Sequence, residues 1–190
     1  MTFDIILAGV GGQGVLSVSS IIAAGAMLEG LQVKQSEVHG MSQRGGAVVA
    51  NLRMADAAVQ SDLVPLGRAA MILSMEPLES LRYLKYLSPD GFVVTATTPT
   101  KNITNYPELD KVLGAVRSLP HAVLVDAEQV ARHAGSARAA NMVLVGAASR
   151  RLPIKPETLE RCIADRFASK GRQVVDMNIQ AFRAGREAGA

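Results

Sequence analysis

The sequence predicts an α/β fold: a mostly parallel sheet with helices on both faces, an antiparallel hairpin after the second strand, and a helical C-terminal part. Three observations carry this reading. The chain opens on an apolar run that ends in clustered glycines and continues as a helix; strand-like and helix-like stretches then alternate; and from about Ala137 every patterned stretch is helical. With 190 residues, 48% of them hydrophobic, the chain can bury a sizeable core, and it is expected to form a single domain over residues 1–190. Aromatic residues make up only 4% and Trp is absent, so that core should be aliphatic.

The first strand, ending at Ile5 to Gly9, runs into GVGGQG. Gly9, Gly11 and Gly14 fit the spacing GxGxxG, in which the glycines allow a tight turn, a close backbone approach and a close helix to strand contact. This makes the opening Rossmann-like. Val15, Val18, Ile22 and Leu28 then fall roughly on one face of a helix that Gly30 stops. Leu31 to Gly40 reads as a second strand running into a loop, and Gly46 to Met54 as a third. So short a connection excludes a parallel crossover, which gives the hairpin. Ala69 to Met75 is a buried strand, and Glu76 with Pro77 starts a helix over LESLRYLKYL. Ser88 to Gly91 reads as a turn before a strand at Phe92 to Thr97, followed by a long unpatterned loop, Thr98 to Pro107. An amphipathic helix from Glu108, a strand at His121 to Ala127 and a short helix ending at Gly135 come next. A buried helix from Ala137, a helix opened by Pro156 and a last helix from Val174 complete the chain.

The formal net charge of +3 is modest and its basic residues are dispersed, which speaks against nucleic acid. No apolar run approaches the ~18 residues of a membrane span, and Asp4 interrupts the first apolar run, so a cytoplasmic protein is expected. The single cysteine, Cys162, excludes an internal disulfide and cannot by itself hold an iron–sulfur cluster or a structural zinc ion. Its place in PETLERCIADRF suits packing on an amphipathic helix. His121 and His133, at a strand start and a helix end, read as structural, and no metal-ligand grouping is convincing.

Two stretches carry the chemistry. The glycine turn, with Gly9, Gly11, Gly12, Gln13 and Gly14, aims backbone N–H groups and the positive end of a helix dipole at one spot, which suits a phosphate; the same glycines also serve packing alone. The second stretch, SEVHGMSQRGG, concentrates Glu37, His39, Ser42, Gln43 and Arg44 between glycines. It follows the second strand and is expected to lie beside the glycine turn, outside the carboxyl ends of the strands. Glu37 stands close to the position, roughly 20 residues past the glycines, from which an acid holds a ribose in dinucleotide sites. Alternatively, Glu37 and Arg44 form an ion pair that fixes the loop.

GVGGQG, SEVHGMSQRGGAV and the later ANMVLVGA, in this order and over nearly the full length, resemble the gamma-type subunit of the 2-oxoacid:ferredoxin oxidoreductases, closest to the indolepyruvate-oxidising branch. The resemblance implies oxidative decarboxylation of a 2-oxoacid on thiamine diphosphate with Mg, electrons leaving through iron–sulfur clusters to ferredoxin, and transfer of the acyl group to coenzyme A. This chain lacks the family's thiamine-binding pattern, since the near match at Pro89, Asp90 and Gly91 has no paired asparagine after it. The resemblance therefore implies large partner subunits that bear the thiamine and the clusters. The loop from Glu37 to Arg44 would face them, with Gln43 and Arg44 orienting the substrate or bracing the partner. The glycine turn would help to bind coenzyme A phosphates. Two rival readings remain: a stand-alone dinucleotide-dependent oxidoreductase, and a purely structural subunit.

Overall fold

The computed structural model describes residues 1–40 and 45–189. Six strands form one sheet in the order β2-β3-β1-β4-β5-β6. They are β1 (Thr2–Val10), β2 (Gln32–His39), β3 (Ala47–Ala55), β4 (Ala69–Ser74), β5 (Leu87–Ala96) and β6 (Ala122–Val125). β1, β4, β5 and β6 pair in parallel, and β3 runs antiparallel to both β1 and β2. The helices among the described residues are α1 (Val15–Leu28), α2 (Pro77–Arg82), α3 (Leu109–Arg117), α4 (Ala127–His133), α5 (Ala140–Ser149), α6 (Pro156–Phe167) and α7 (Arg172–Ala188).

From Ile5 onward β1 is apolar or small because it is covered on both sides. Ile5 and Leu7 enter the larger core, built with α1, α4, α5, α6 and α7. Ile6, between them, enters a smaller core with Ile72, Val93 and Val116 on the face of α2 and α3. The predicted alternation, the hairpin and the helical finish are all present. Asp4, read only as an interruption, lies in register with Arg53 on β3 and accepts from its Nε at 3.0 Å; it is buried. Arg53 also donates to the carbonyls of Ser61 and Leu63, so this pair pins the link between β3 and β4.

Local differences from the sequence reading have physical causes. Ser88 to Gly91 is not a turn before the strand but an irregularity inside β5: Leu87 pairs with Ala69 and Phe92 with Met71. A Cβ at Gly91 would stand 2.8 Å from the Ala69 carbonyl, so the bulge needs that glycine. The helix expected through Leu87 ends at Arg82 and tightens into a 3-10 turn at Leu84–Tyr86, because Leu87 already belongs to the sheet. Leu28 is half exposed and Ala26 occupies the buried place at that end of α1. The helix expected from Ala137 begins with a 3-10 turn, whose Arg138 amide is capped by the Ser136 hydroxyl, before α5 proper.

ANMVLVGA forms most of α5, which packs backbone to backbone on α7. A Cβ at Gly146 would lie 2.0 Å from the Phe182 carbonyl oxygen, and one at Gly185 2.0 Å from that of Val143. Only glycine permits this approach. Cys162 is buried on α6 as the amphipathic pattern requires, and burial beside Asp165 pushes its thiol above the ordinary range. Glu157 sits in the first turn of α6, whereas Glu160 is engaged from α7 by both Nε and Nη2 of Arg183, at 2.7 and 2.6 Å. His121 packs against Phe92 with ring centroids 5.0 Å apart. No helix among the described residues is long and apolar enough to cross a membrane.

Candidate functional site

The turn between β1 and α1 takes up positive φ at Gly12 (102°) and Gly14 (83°), conformations that L side chains resist. Gly9 serves packing: a Cβ there would meet Val15 at 2.8 Å and Gln13 at 2.9 Å. Gln13 folds back over the turn. Its Oε1 accepts from the Val10 amide at 2.8 Å, and its Nε2 donates to the Met75 carbonyl at 3.2 Å and to Thr100 Oγ1 at 2.9 Å. It thus bridges the carboxyl ends of β1 and β4, the crevice where an open α/β sheet changes direction. The Gly11 amide donates to the Gly46 carbonyl at 2.8 Å, and the Gly45 amide returns to the Gly11 carbonyl at 3.4 Å.

The first amide of α1 to meet a carbonyl of its own helix entry is that of Val18, donating to Gly14. Among the described residues, those of Val15, Leu16 and Ser17 have no such acceptor and no side chain caps the helix, and its first turn holds no acid. The positive end of the dipole therefore faces the surface without a compensating charge from the helix itself. Of the five predicted phosphate-binding positions, Gly12 and Gly14 lie at this end. The other three are engaged in packing or in bonds to the protein.

Because β3 is antiparallel, it begins where β1 ends, with Val10 opposite Ala47. The hairpin thereby brings its own ends to the glycine turn, as expected. His39 lines a cavity of about 360 Å³ with Gly11, Gly12, Gly14, Leu16 and Ser17. Glu37 lies on the exposed edge strand opposite Ala50. Ser42, Gln43 and Arg44 lie outside the described residues, as does any Glu37–Arg44 ion pair. Since β3 stands between β2 and β1, Glu37 is two strand spacings from the glycine strand, roughly 10 Å, and not in the adjacent place of a ribose-holding acid.

On the other side of the turn, a crevice of about 230 Å³ opens at the carboxyl ends of β4, β5 and β6. Gln13, Thr98, Thr100, Glu128, Arg138 and Asn141 contribute its polar groups. The sequence reading missed Arg138 and the placement of Asn141. The amide of Asn141 would come within 2.6 Å of a Cβ at Gly14, so α5 abuts the start of α1 there. ANMVLVGA was a visible signal for Asn141; a lone arginine among alanines gave none. Above the crevice, buried Glu76 caps α2, accepting from the Glu79 amide at 2.8 Å, and also accepts from the Tyr106 hydroxyl. Burial and the Glu76 carboxylate push that hydroxyl far above the ordinary range, so Tyr106 remains a donor.

No grouping of three or more His, Cys, Asp or Glu side chains among the described residues could share a metal ion. The donor set, with a single buried cysteine, does not fit an iron–sulfur cluster.

Known proteins resemble this chain over nearly its whole length. Indolepyruvate oxidoreductase subunit IorB of Archaeoglobus fulgidus is 39% identical over 97% of this chain and 94% of its own. The IorB of Thermococcus kodakarensis is 36% identical over 96% and 94%. The fold superposes on pyruvate oxidoreductase subunit PORC of Thermotoga maritima with a TM-score of 0.73 and 25% identity, covering 98% of this chain and 96% of that one. It also matches part of the 2-oxoglutarate:ferredoxin oxidoreductase of Magnetococcus marinus, solved with 2-oxoglutarate, coenzyme A and succinyl-CoA bound, at a TM-score of 0.78 and 22% identity over 99% of this chain and 31% of that chain. The family profile of pyruvate ferredoxin/flavodoxin oxidoreductases spans residues 4–188, and with relatives of this identity at nearly full length the chain belongs to that family.

Proposed function

We propose that this chain is one gamma-type domain acting as the small subunit of an indolepyruvate-type 2-oxoacid:ferredoxin oxidoreductase. In this reading it has no activity alone and works in the cytoplasm. Thiamine diphosphate with Mg, and the iron–sulfur clusters, reside in large partner subunits that pass electrons to ferredoxin. The observation that carries the reading is the near full-length identity to the IorB subunits. The lone cysteine supports it, since a cluster needs several thiolates.

The hairpin end is the part that meets the partner. Its Gln43 and Arg44 orient the 2-oxoacid or brace the large subunit, a guanidinium fork and an amide being suited to a carboxylate. Support comes from the neighbouring residues: His39, Gly45 and Gly46 stand against the glycine turn. Coenzyme A, when bound, supplies the thiol that takes the acyl group. Gly12, Gly14 and the first-turn amides of α1 would hold one of its phosphates; the uncapped helix start and positive-φ glycines fit an anion.

The test is reconstitution. The chain and the thiamine- and cluster-bearing subunit are expressed together and separately, and viologen reduction is followed with indolepyruvate, pyruvate and 2-oxoglutarate. Activity only in the mixture, with indolepyruvate preferred, is expected. Oxidation by this chain alone with a nicotinamide cofactor overturns the reading. Arg44→Ala should assemble and lose turnover; reduced assembly with full turnover per assembled complex would instead leave the chain a scaffold.

A further inference from the structure

The loop from Thr98 to Pro107 has no helical or strand pattern, yet it is bonded at several points along its course. It leaves β5 and crosses the carboxyl ends of β4 and β1 to reach the start of β3. At its far end the Tyr106 hydroxyl donates to Glu76 Oε1, to which the Thr100 amide also donates at 3.4 Å. Near its start, Thr100 Oγ1 accepts from Gln13 of the glycine turn at 2.9 Å. At its tip, Asn102 Nδ2 donates to the Gly45 carbonyl at 2.8 Å. The tip is itself shaped by the Asn102 amide donating to the Thr100 carbonyl at 2.8 Å.

These bonds close a circuit. Gly45 and Gly46 are bonded to Gly11, Gln13 shares the same turn, Gln13 reaches Thr100, and Asn102 returns to Gly45. Glycine backbone has more conformations to lose than any other residue, and Gly45 stands at φ 79°, so two adjacent glycines define the direction of the hairpin poorly by themselves. The side-chain amide of Asn102 reaches this backbone from another element.

We infer that Asn102 is a positioning residue: through Gly45 it fixes the entry to β3 against the glycine turn, and so sets the geometry with which the hairpin meets the reaction site of the assembled enzyme. The consequence for the reaction rests on the proposed function; the fixing of the hairpin does not. Asn102→Ala, Asn102→Asp and Asn102→Gln separate the possibilities, because aspartate keeps the shape without the donor and glutamine keeps the donor on a longer arm.

Amide hydrogen exchange on the full chain reads the first half. In Asn102→Ala and Asn102→Asp the Gly11 and Gly45 amides should exchange about tenfold faster, the effect of losing one hydrogen bond, with Asn102→Gln between these and the unsubstituted chain. Unchanged exchange at Gly11 and Gly45 in Asn102→Ala, or full protection in Asn102→Asp, overturns the inference. The reconstituted complex reads the second half: assembly unchanged, kcat/KM for the 2-oxoacid lowered in Asn102→Ala and partly restored in Asn102→Gln. Faster exchange with unaltered kcat/KM overturns the positioning role. If the unsubstituted complex fails to oxidise 2-oxoacids, the functional reading falls, while the exchange result still decides whether Asn102 fixes the hairpin.

Discussion

In Gln13→Ala three groups lose their partner at once: the Val10 amide, the Met75 carbonyl and the Thr100 hydroxyl. Val10 is 1% exposed and Met75 4%, so water does not readily replace the amide at either. Thr100 is only half-buried and can turn to solvent. An unsatisfied buried donor or acceptor costs about 1–3 kcal/mol, so two of them with the lost packing over Gly9 give roughly 3 kcal/mol. For a domain of this size that lowers Tm by roughly 6–12 °C. Urea unfolding followed by circular dichroism measures it, and m should be unchanged because the exposed surface is the same. Gln13→Glu keeps the bond to Val10 but turns a second oxygen toward the Met75 carbonyl, so it should recover less than half of the loss. A stability within about 0.5 kcal/mol of the unsubstituted chain in Gln13→Ala, together with a lost affinity for coenzyme A or phosphate, would refute the structural argument and make Gln13 a ligand contact.

Gly185→Ala places a Cβ 2.0 Å from the Val143 carbonyl oxygen and forces α5 and α7 apart, a cost of about 3 kcal/mol or more seen in urea unfolding. Combined with Gly146→Ala, the loss should be less than the sum of the two, because one separation relieves both collisions. Gly12→Ala meets nothing within 4 Å, so its cost is the strain of φ 102° alone, about 1–2 kcal/mol by the same measurement. A fourth outcome concerns acid. The Thr158 hydroxyl holds the Glu29 carboxyl below its ordinary 4.5 against the opposing effect of burial, with smaller help from the Lys155 amide and charge. A carboxyl lowered in the fold stabilises above its unfolded value and loses that contribution as pH falls through the folded one. The urea midpoint of Thr158→Val should therefore trail the unsubstituted chain most at about pH 6 and approach it as pH falls below 4.5.

What was legible in the sequence was what local pattern decides. The apolar run of β1, the glycines after it and the short link that makes β2 and β3 antiparallel each carry their signal within a few residues, and each of these elements formed where expected. Ser88 to Gly91 has turn composition, but whether such a segment precedes a strand or bulges within it depends on the neighbouring strand, here Ala69 and Met71 of β4. Gln13 was read as a ligand candidate because its neighbours are glycines. Its partners, Met75 and Thr100, stand far along the chain, and only the fold brings them to it. Arg138 escaped notice for the same reason: the crevice it lines is assembled from strand ends and helices distant in sequence.

The inserted antiparallel strand is the feature that sets this opening apart from a dinucleotide site. A parallel second strand beside β1 would bring its final acid alongside the glycine turn, where a ribose needs it. With β3 in that place, the acid of β2 is carried one strand further out, to the exposed edge. What arrives at the turn instead is the backbone of Gly45 and Gly46, bonded to Gly11, with His39 facing the start of α1. The site keeps the anion-attracting end of a helix and loses the carboxylate that would make it selective for a dinucleotide. It gains the backbone of Gly45, to which Asn102 donates from across the sheet. Under the proposed function such a hairpin would complete a surface on another chain, and the helix start beside it would take a phosphate arriving with that chain's substrate. That pairing fits the proposal that the reacting cofactor lies on a partner chain.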